Sequence, residues 1–190
     1  MSPFTKQLKT ILLNNVWFAD ALAAVRKVNP PDWYVGGGVI RTLVWDYLHG
    51  YEKPTTLRDV DVAFFDADDL SEARERFVEG QLRSVHPDVP WEARNQAAVH
   101  TWYRSKFGNE VEPLGSSAEG VATWPETATA IGVRLEPDDS LTILAPCGLD
   151  DLFNLILRRN PKRVTVKHFR ERYKSKQILE KWPKVRIIDK

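Results

Sequence analysis

Asp59 and Asp61 occupy alternate positions in the run Arg58-Asp59-Val60-Asp61-Val62-Ala63-Phe64-Phe65. Val60, Val62 and Phe64 share one face of a strand and Asp59, Asp61, Ala63 and Phe65 the other, so the strand is expected inside a sheet. Alternate carboxylates project to one side about 6–7 Å apart. Held that close they repel and raise one pKa unless cations lie between them. A pair of magnesium ions about 3.5–4 Å apart fits such acids and is the usual arrangement for in-line displacement at phosphorus. By itself the pair equally fits two surface acids on an edge strand.

A second group precedes it by about twenty residues. The apolar Trp33-Tyr34-Val35 runs into Gly36-Gly37-Gly38, and a helical stripe follows (Ile40, Leu43, Val44, Leu48) that Gly50 closes. Glycines between a strand and a helix let backbone N–H groups approach a phosphate at the positive end of the helix. Arg41, one turn in, could fork onto phosphate oxygens. A tight turn needing positive φ would explain the glycines equally well. No Gly-Lys-Ser/Thr follows, so this is not a Walker loop. Arg41 stands where the dinucleotide fingerprint needs its third glycine, so it is not that either.

Together, a strand, a Gly-Gly-x-x-Arg helix and an apolar strand bearing Asp-x-Asp resemble the DNA polymerase beta-type nucleotidyltransferase superfamily, which includes the tRNA CCA-adding enzymes. More specifically the chain resembles a bacterial branch of small nucleotidyltransferase-like proteins. That resemblance runs through Trp45-Asp46, Leu57 to Val62, Arg94-Asn95-Gln96-Ala97, Trp124 to Ala130 and Ala145 to Phe153, most of the chain from about residue 16 onward. It implies that Gly37 and Gly38, with Gly36 and Arg41 beside them, bind the nucleotide's phosphates. It also implies that Asp59 and Asp61 bind metal, and that Glu92, between Trp91 and Ala93, is the third carboxylate. The implied cofactors are two Mg²⁺ or Mn²⁺ ions. The implied donor is a nucleoside triphosphate; the acceptor is open, with RNA such as tRNA, a protein or a small molecule all compatible. Gly38 departs from the serine found in many superfamily members. Asp150 and Asp151 are rivals for third acid, but they open a helix, where capping explains them.

The elements that would position these residues read as an α/β (α+β) fold, with a mixed sheet flanked by helices. One or two helices cover residues 4–28, and a helix from about Leu70 to Leu82 is capped by Asp66 to Asp69. Val89 to Arg94 is a third strand, and Asn95 to Phe107 is helical. The Gly- and Ser-rich stretch 108–120 is a loop over the cleft. Ile131 to Leu135 and Leu141 to Leu144 form a hairpin, a helix carries Leu149 to Leu157, and a basic helix runs from Val166 to Lys181. The whole, 1–190, is read as one nucleotidyltransferase-like domain with its core at about 30–145 and a basic helical segment at 148–190.

Net charge is +1, but residues 158–190 hold thirteen Lys or Arg against three Asp or Glu, so the remainder sums to −9. An acidic body with a basic tail invites polyanion contact. Lys162, Arg163, Lys167, Arg170, Arg172, Lys174 and Lys176 could meet RNA or the donor triphosphate, although a solvated helix face is the default. Arg94, Asn95, Gln96, Thr127 and Thr129 are further polar candidates for a pocket, with capping as the alternative. Trp124 reads as core. Cys147, the only cysteine, excludes an intrachain disulfide and, without a neighbouring His, reads as a small packed side chain. The four histidines lack metal-ligand spacing. No run approaches the roughly 18 apolar residues that would span a bilayer and no secretion signal is evident, so a cytoplasmic protein without membrane contact is expected. The implied reaction moves a nucleoside monophosphate from a triphosphate to an acceptor hydroxyl with release of pyrophosphate. The alternative is a non-catalytic regulator of the same fold that binds a nucleotide or RNA.

Overall fold

The run that carries the two aspartates forms an interior strand, as its apolarity on both faces requires. The computed structural model describes residues 3–189. Its main sheet has five strands: β1 (Tyr34–Gly36), β2 (Val60–Phe64), β3 (Trp91–Asn95), β4 (Gly132–Leu135) and β5 (Leu141–Leu144), in the order β3-β2-β1-β4-β5. Only β2 and β3 pair in parallel, so the sheet is mixed. Val60, Val62 and Phe64 are fully buried in the core. The opposite face of β2, bearing Asp61 and Ala63, borders a cleft. Asp59 stands one residue before the strand begins.

Helices α1 (Pro3–Asn14) and α2 (Val16–Val28) bury Leu8, Leu12, Phe18, Leu22 and Val25 completely. The break between them is made by Asn15, whose side chain caps the Phe18 N–H. No single described helix is long and apolar enough to cross a membrane; α1 and α2 are apolar enough only together, and they meet at 91°. Helix α3 (Gly38–His49) follows β1 directly and closes on Gly50 at φ 69°.

Several elements differ from the sequence expectation. Helix α4 (Glu72–Val85) is capped by Ser71, whose hydroxyl accepts the Arg74 N–H, not by the preceding aspartates. Asp66 instead holds the Arg74 guanidinium at 2.7 Å. The segment after β3 is a 3₁₀ turn (Gln96–Ala98) leading into α5 (Val99–Phe107), and the 108–120 stretch ends in a short helix, α6 (Ser117–Val121). Cys147 is exposed, not packed.

The C-terminal third departs most. The expected helix through Leu157 is only α7 (Asp150–Phe153); Leu155 then takes φ 55° and the chain enters β6 (Ile156–Arg158). Its partner is a strand not expected at all, β7 (Arg186–Ile188), paired in parallel. The expected basic helix is interrupted: α8 (Val166–Ser175) stops before Gln177, which adopts φ 54°, and α9 (Ile178–Lys181) resumes in a new direction. That bend buries Ile178 and Trp182, and the core cluster runs from Leu8 to Val185. The Trp182 indole donates to Asp46 at 2.7 Å and meets Trp45 edge-on at 5.4 Å, which fastens the C-terminal segment to α3.

Candidate active site

Three glycines separate β1 from α3, and each has a different reason to be there. At Gly36 an added Cβ would run into the Ile131 carbonyl and lie 2.9 Å from the Trp124 ring. Gly37 caps α3 at φ 70°, where an added Cβ would sit 3.0 Å from Asp61 Oδ2. The turn is therefore glycine partly because an aspartate lies against it. Gly38 is unconstrained: the nearest group to an added Cβ is Arg41 Nη2 at 3.9 Å, so the serine seen elsewhere would fit. The Gly37 N–H donates to the Ile131 carbonyl at 3.0 Å. The first helical bond is from the Arg41 N–H to the Gly37 carbonyl, so the amides without an intrahelical acceptor at the entrance of the helix are those of Gly38, Val39 and Ile40.

Asp61 faces this turn and stands in register with Glu92 across the parallel β2–β3 pair. Burial, then the negative charges of Asp59 and Glu92, push the Asp61 carboxyl up to about 7, against the opposing pull of Lys176 and Arg172. The three expected acids thus act on one another. Glu92 also accepts from Arg94 at 2.7 Å. Among the described residues no three His, Cys, Asp or Glu side chains converge closely enough to hold a metal ion unaided. Magnesium takes few protein carboxylates and completes its shell with substrate phosphates and water. A buried aspartate crowded by two like charges is an all-oxygen donor set that fits a divalent cation.

Opposite the acids is a basic wall from α8 and the residue just after it. Arg172 Nε donates to Glu126 Oε1 at 2.7 Å, and Thr129 donates to Glu126 Oε2 at 2.6 Å. Burial alone would raise the Glu126 carboxyl, but Arg172, the Thr129 hydroxyl, Lys176 and Arg41 outweigh it and hold it below the usual range. Lys176 lines the cleft and, among the described residues, pairs with no carboxylate. Burial first, then Arg172, pull its ammonium down, with Glu126 acting the other way. An unpaired, largely buried cation beside a second one makes a site for an anion.

Arg41 does not line the cleft. It is buried behind the glycine turn, its guanidinium 4.8 Å from the Trp182 ring and 5.5 Å from Trp45. Burial lowers it to about 10, partly offset by Glu126, so it stays charged at neutral pH, and its Nε lacks a partner. Arg41 therefore contributes positive potential from beneath the turn.

The cleft has a volume of about 420 Å³ and is lined by Gly37, Gly38, Asp61 and Glu92, and across from them Trp124, Arg172 and Lys176. Trp124, expected in the core, instead forms its wall against the glycine turn. Arg94, Gln96 and Thr129 also line it, whereas Asn95 is a buried cap for the Asp66 and Ala97 amides and Thr127 bonds Asp151. Asp151 is tied to Arg158 at 2.8 Å and is no rival for third acid. The sequence reading missed Glu126 and left Arg172 and Lys176 among seven equivalent basic residues. Their distinction is contact with a segment some 46 residues away, for which spacing carries no signal.

A family model described as "Nucleotidyltransferase" matches residues 23–187. The chain belongs to the nucleotidyltransferase family. Among solved structures, the nucleotidyltransferase fold is similar to an NMR structure described as a CCA-adding enzyme head domain, with 25% identity, a TM-score of 0.76 and 94% of each chain covered. It is also similar to a CCA-adding enzyme in complex with CTP (14% identity, TM-score 0.53) and to the Thermotoga maritima CCA-adding enzyme complexed with tRNA (14%, 0.52). The chain spans 43% and 42% of those two proteins, and 95% of it is covered in each. No curated protein matches.

Proposed function

We propose that this nucleotidyltransferase catalyses metal-dependent transfer of a nucleoside monophosphate from a nucleoside triphosphate to an acceptor hydroxyl. The observation that carries this reading is the contact of Asp61 with the Gly37 turn, beside a second wall that carries Arg172 and Lys176. In this reading the phosphates and the metal-binding acids would meet at one place.

In the proposed step an acceptor oxygen forms a bond to the α-phosphorus. The bond from that phosphorus to the oxygen bridging to the β-phosphate breaks, pyrophosphate leaves with that oxygen, and the hydroxyl proton passes to solvent. Asp59, Asp61 and Glu92 would hold two Mg²⁺ or Mn²⁺ ions, which when bound supply neutralisation of the phosphate oxygens and acidify the attacking hydroxyl. The Gly38 and Val39 N–H groups would donate to the β- and γ-phosphate oxygens, with Lys176 and Arg172 across the cleft and Arg41 adding field from below. Positioning and charge neutralisation dominate phosphoryl transfer, so no histidine base is needed. RNA such as tRNA is the favoured acceptor, because a structurally similar enzyme is described in complex with tRNA.

The test is pyrophosphate release from each of the four triphosphates with magnesium or manganese, with bulk tRNA as acceptor. Release that is abolished by Asp59→Ala with Asp61→Ala supports the reading. Unchanged metal-dependent nucleotide binding in that double variant would sink it. A second reading, a non-catalytic regulator that binds a nucleotide or RNA, is favoured by the engagement of Glu92 with Arg94. It expects nucleotide binding without turnover.

A further inference from the structure

The cleft has a second end whose chemistry the transfer step leaves unused. Beyond Glu92 it is walled by Trp102, Tyr103 and Phe107 from α5 and by His168 from α8. Phe107 lies 4.6 Å from Tyr103, 5.0 Å from His168 and 6.4 Å from Trp102, centroid to centroid. Two cations sit over these rings: Lys106 is 5.5 Å from Trp102 and 5.6 Å from Phe107, and Arg163 is 5.4 Å from Tyr103.

Core packing accounts for Tyr103, which is buried and donates its hydroxyl to the Arg163 carbonyl at 3.2 Å. It does not account for Phe107, which is 36% exposed, nor for the exposed His168 beside it. Aromatic side chains that line a cleft, rather than being scattered on a surface, mark a place for a flat ligand, here with the flexible Lys106 flanking the two rings. Among the described residues the acids lining the cleft are Asp61 and Glu92. Asp61 senses Arg172 and Lys176, about one and two turns along the chain from the His168 that meets Phe107, while Lys106 and Arg163 keep the Phe107 end positive. A planar group attached to an anion suits both features. At about 420 Å³ the continuous cleft is of the size that takes one small molecule, so a ligand whose phosphates lie at the glycine turn would extend to these rings.

We propose that Phe107 and Trp102 form a stacking subsite for the nucleobase of the donor nucleoside triphosphate, placed at the far end of the cleft from Asp61. This rests on the transfer reading for the phosphate end and adds the base-binding element. Stacking tolerates every base, because each has a π-face, and favours the larger purines. The subsite therefore accepts all four triphosphates with ATP and GTP bound more tightly than CTP and UTP.

The test is calorimetric titration of the intact chain, in the presence of Mg²⁺, with the four nucleoside triphosphates and with inorganic tripolyphosphate, which has the anion and no base. Base stacking contributes on the order of 5- to 100-fold in affinity, so the wild type binds ATP and GTP tighter than tripolyphosphate by about that factor. Phe107→Leu and Trp102→Leu, which keep apolar volume and remove the π-face, abolish that advantage and leave tripolyphosphate affinity unchanged. Lys176→Met weakens both ligands alike. Nucleotides that bind no tighter than tripolyphosphate, or leucine variants that keep the full advantage, would overturn the subsite and leave the phosphate end standing. Failure of the wild type to bind either kind of triphosphate overturns the subsite and the transfer reading together. Thermal melts of the two leucine variants confirm that each is folded.

Discussion

The two walls of the cleft were assembled in opposite ways. The acidic wall comes from residues close in sequence: Gly37, Asp59 and Asp61 within 25 positions, with Glu92 on the adjoining strand. The basic wall comes from α8 and the residue just after it, held by the Arg172–Glu126 pair and followed by Trp182, which is anchored on α3. On the acidic wall, burial first and then the charges of Asp59 and Glu92 disfavour an ionised Asp61 without a cation. The basic wall is internally compensated: Arg172 has Glu126, and Lys176 is left over for a ligand. One wall carries like charges that no cation in the chain fully offsets, while the other holds its charge through a buried pair.

The largest effect separating the walls is expected at Asp61. Asp61→Asn should lower any nucleotidyl transfer by about 10³-fold or more, as loss of charge neutralisation does in phosphoryl transfer. The same change relieves crowding, so the metal-free variant should melt above the wild type while losing magnesium-dependent stabilisation. A lower melting temperature for metal-free Asp61→Asn would break the comparison. On the basic wall the order is reversed. Arg172→Met removes the ion-pair partner of the buried Glu126 and leaves it only the Thr129 hydroxyl as a direct donor, and should destabilise the protein by about 3–5 kcal/mol in denaturant titrations. Lys176→Met breaks no ion pair and should leave stability within about 1 kcal/mol, while triphosphate affinity falls about 10- to 100-fold. If Lys176→Met unfolds the chain, Lys176 is a structural residue instead.

The pH dependence of the pair has a definite sign. The folded Glu126 carboxyl lies below its ordinary 4.5, so its stabilisation is fully present above that value and disappears as pH falls through the folded one. The stability gap between wild type and Glu126→Gln, measured by thermal melts, should hold constant above the ordinary 4.5 and narrow progressively as pH falls below it. A gap that widens in acid would contradict the assignment. The smallest effect belongs to Gly38→Ser, where the added Cβ meets nothing closer than 3.9 Å. It should change stability by less than about 1 kcal/mol and should tighten rather than weaken triphosphate binding, by a hydroxyl contact worth about 0.5–1.5 kcal/mol.

The central strands and their acids were legible in the sequence because period-two apolarity and glycine placement are local signals. Val60, Val62 and Phe64 announce an interior strand, and the core bears that out. Arg41 was legible as a cation beside a phosphate turn, but not as one enclosed by Trp45 and Trp182, since the second ring comes from 141 residues away. The helix expected through Leu157 failed because Leu152, Phe153 and Leu157 satisfy helical spacing while their backbone turns at Leu155 to reach β7. Periodicity reports which residues are buried more reliably than which backbone buries them.

By itself, then, the sequence determined a glycine turn and an interior strand with one aspartate just before it and one on it; Glu92 was implied by the family resemblance, and its register with Asp61 was set by the pairing of β2 and β3. The turn and the strand depend on backbone geometry over a few residues. Tertiary structure alone decided which of many basic residues face those acids, that Trp124 shapes the cleft, and that Phe107 is left open at its far end. Charge and aromaticity carry no direction along a chain. They acquire one only when distant segments pack, here when Trp182 bonds Asp46 and Arg172 pairs with Glu126.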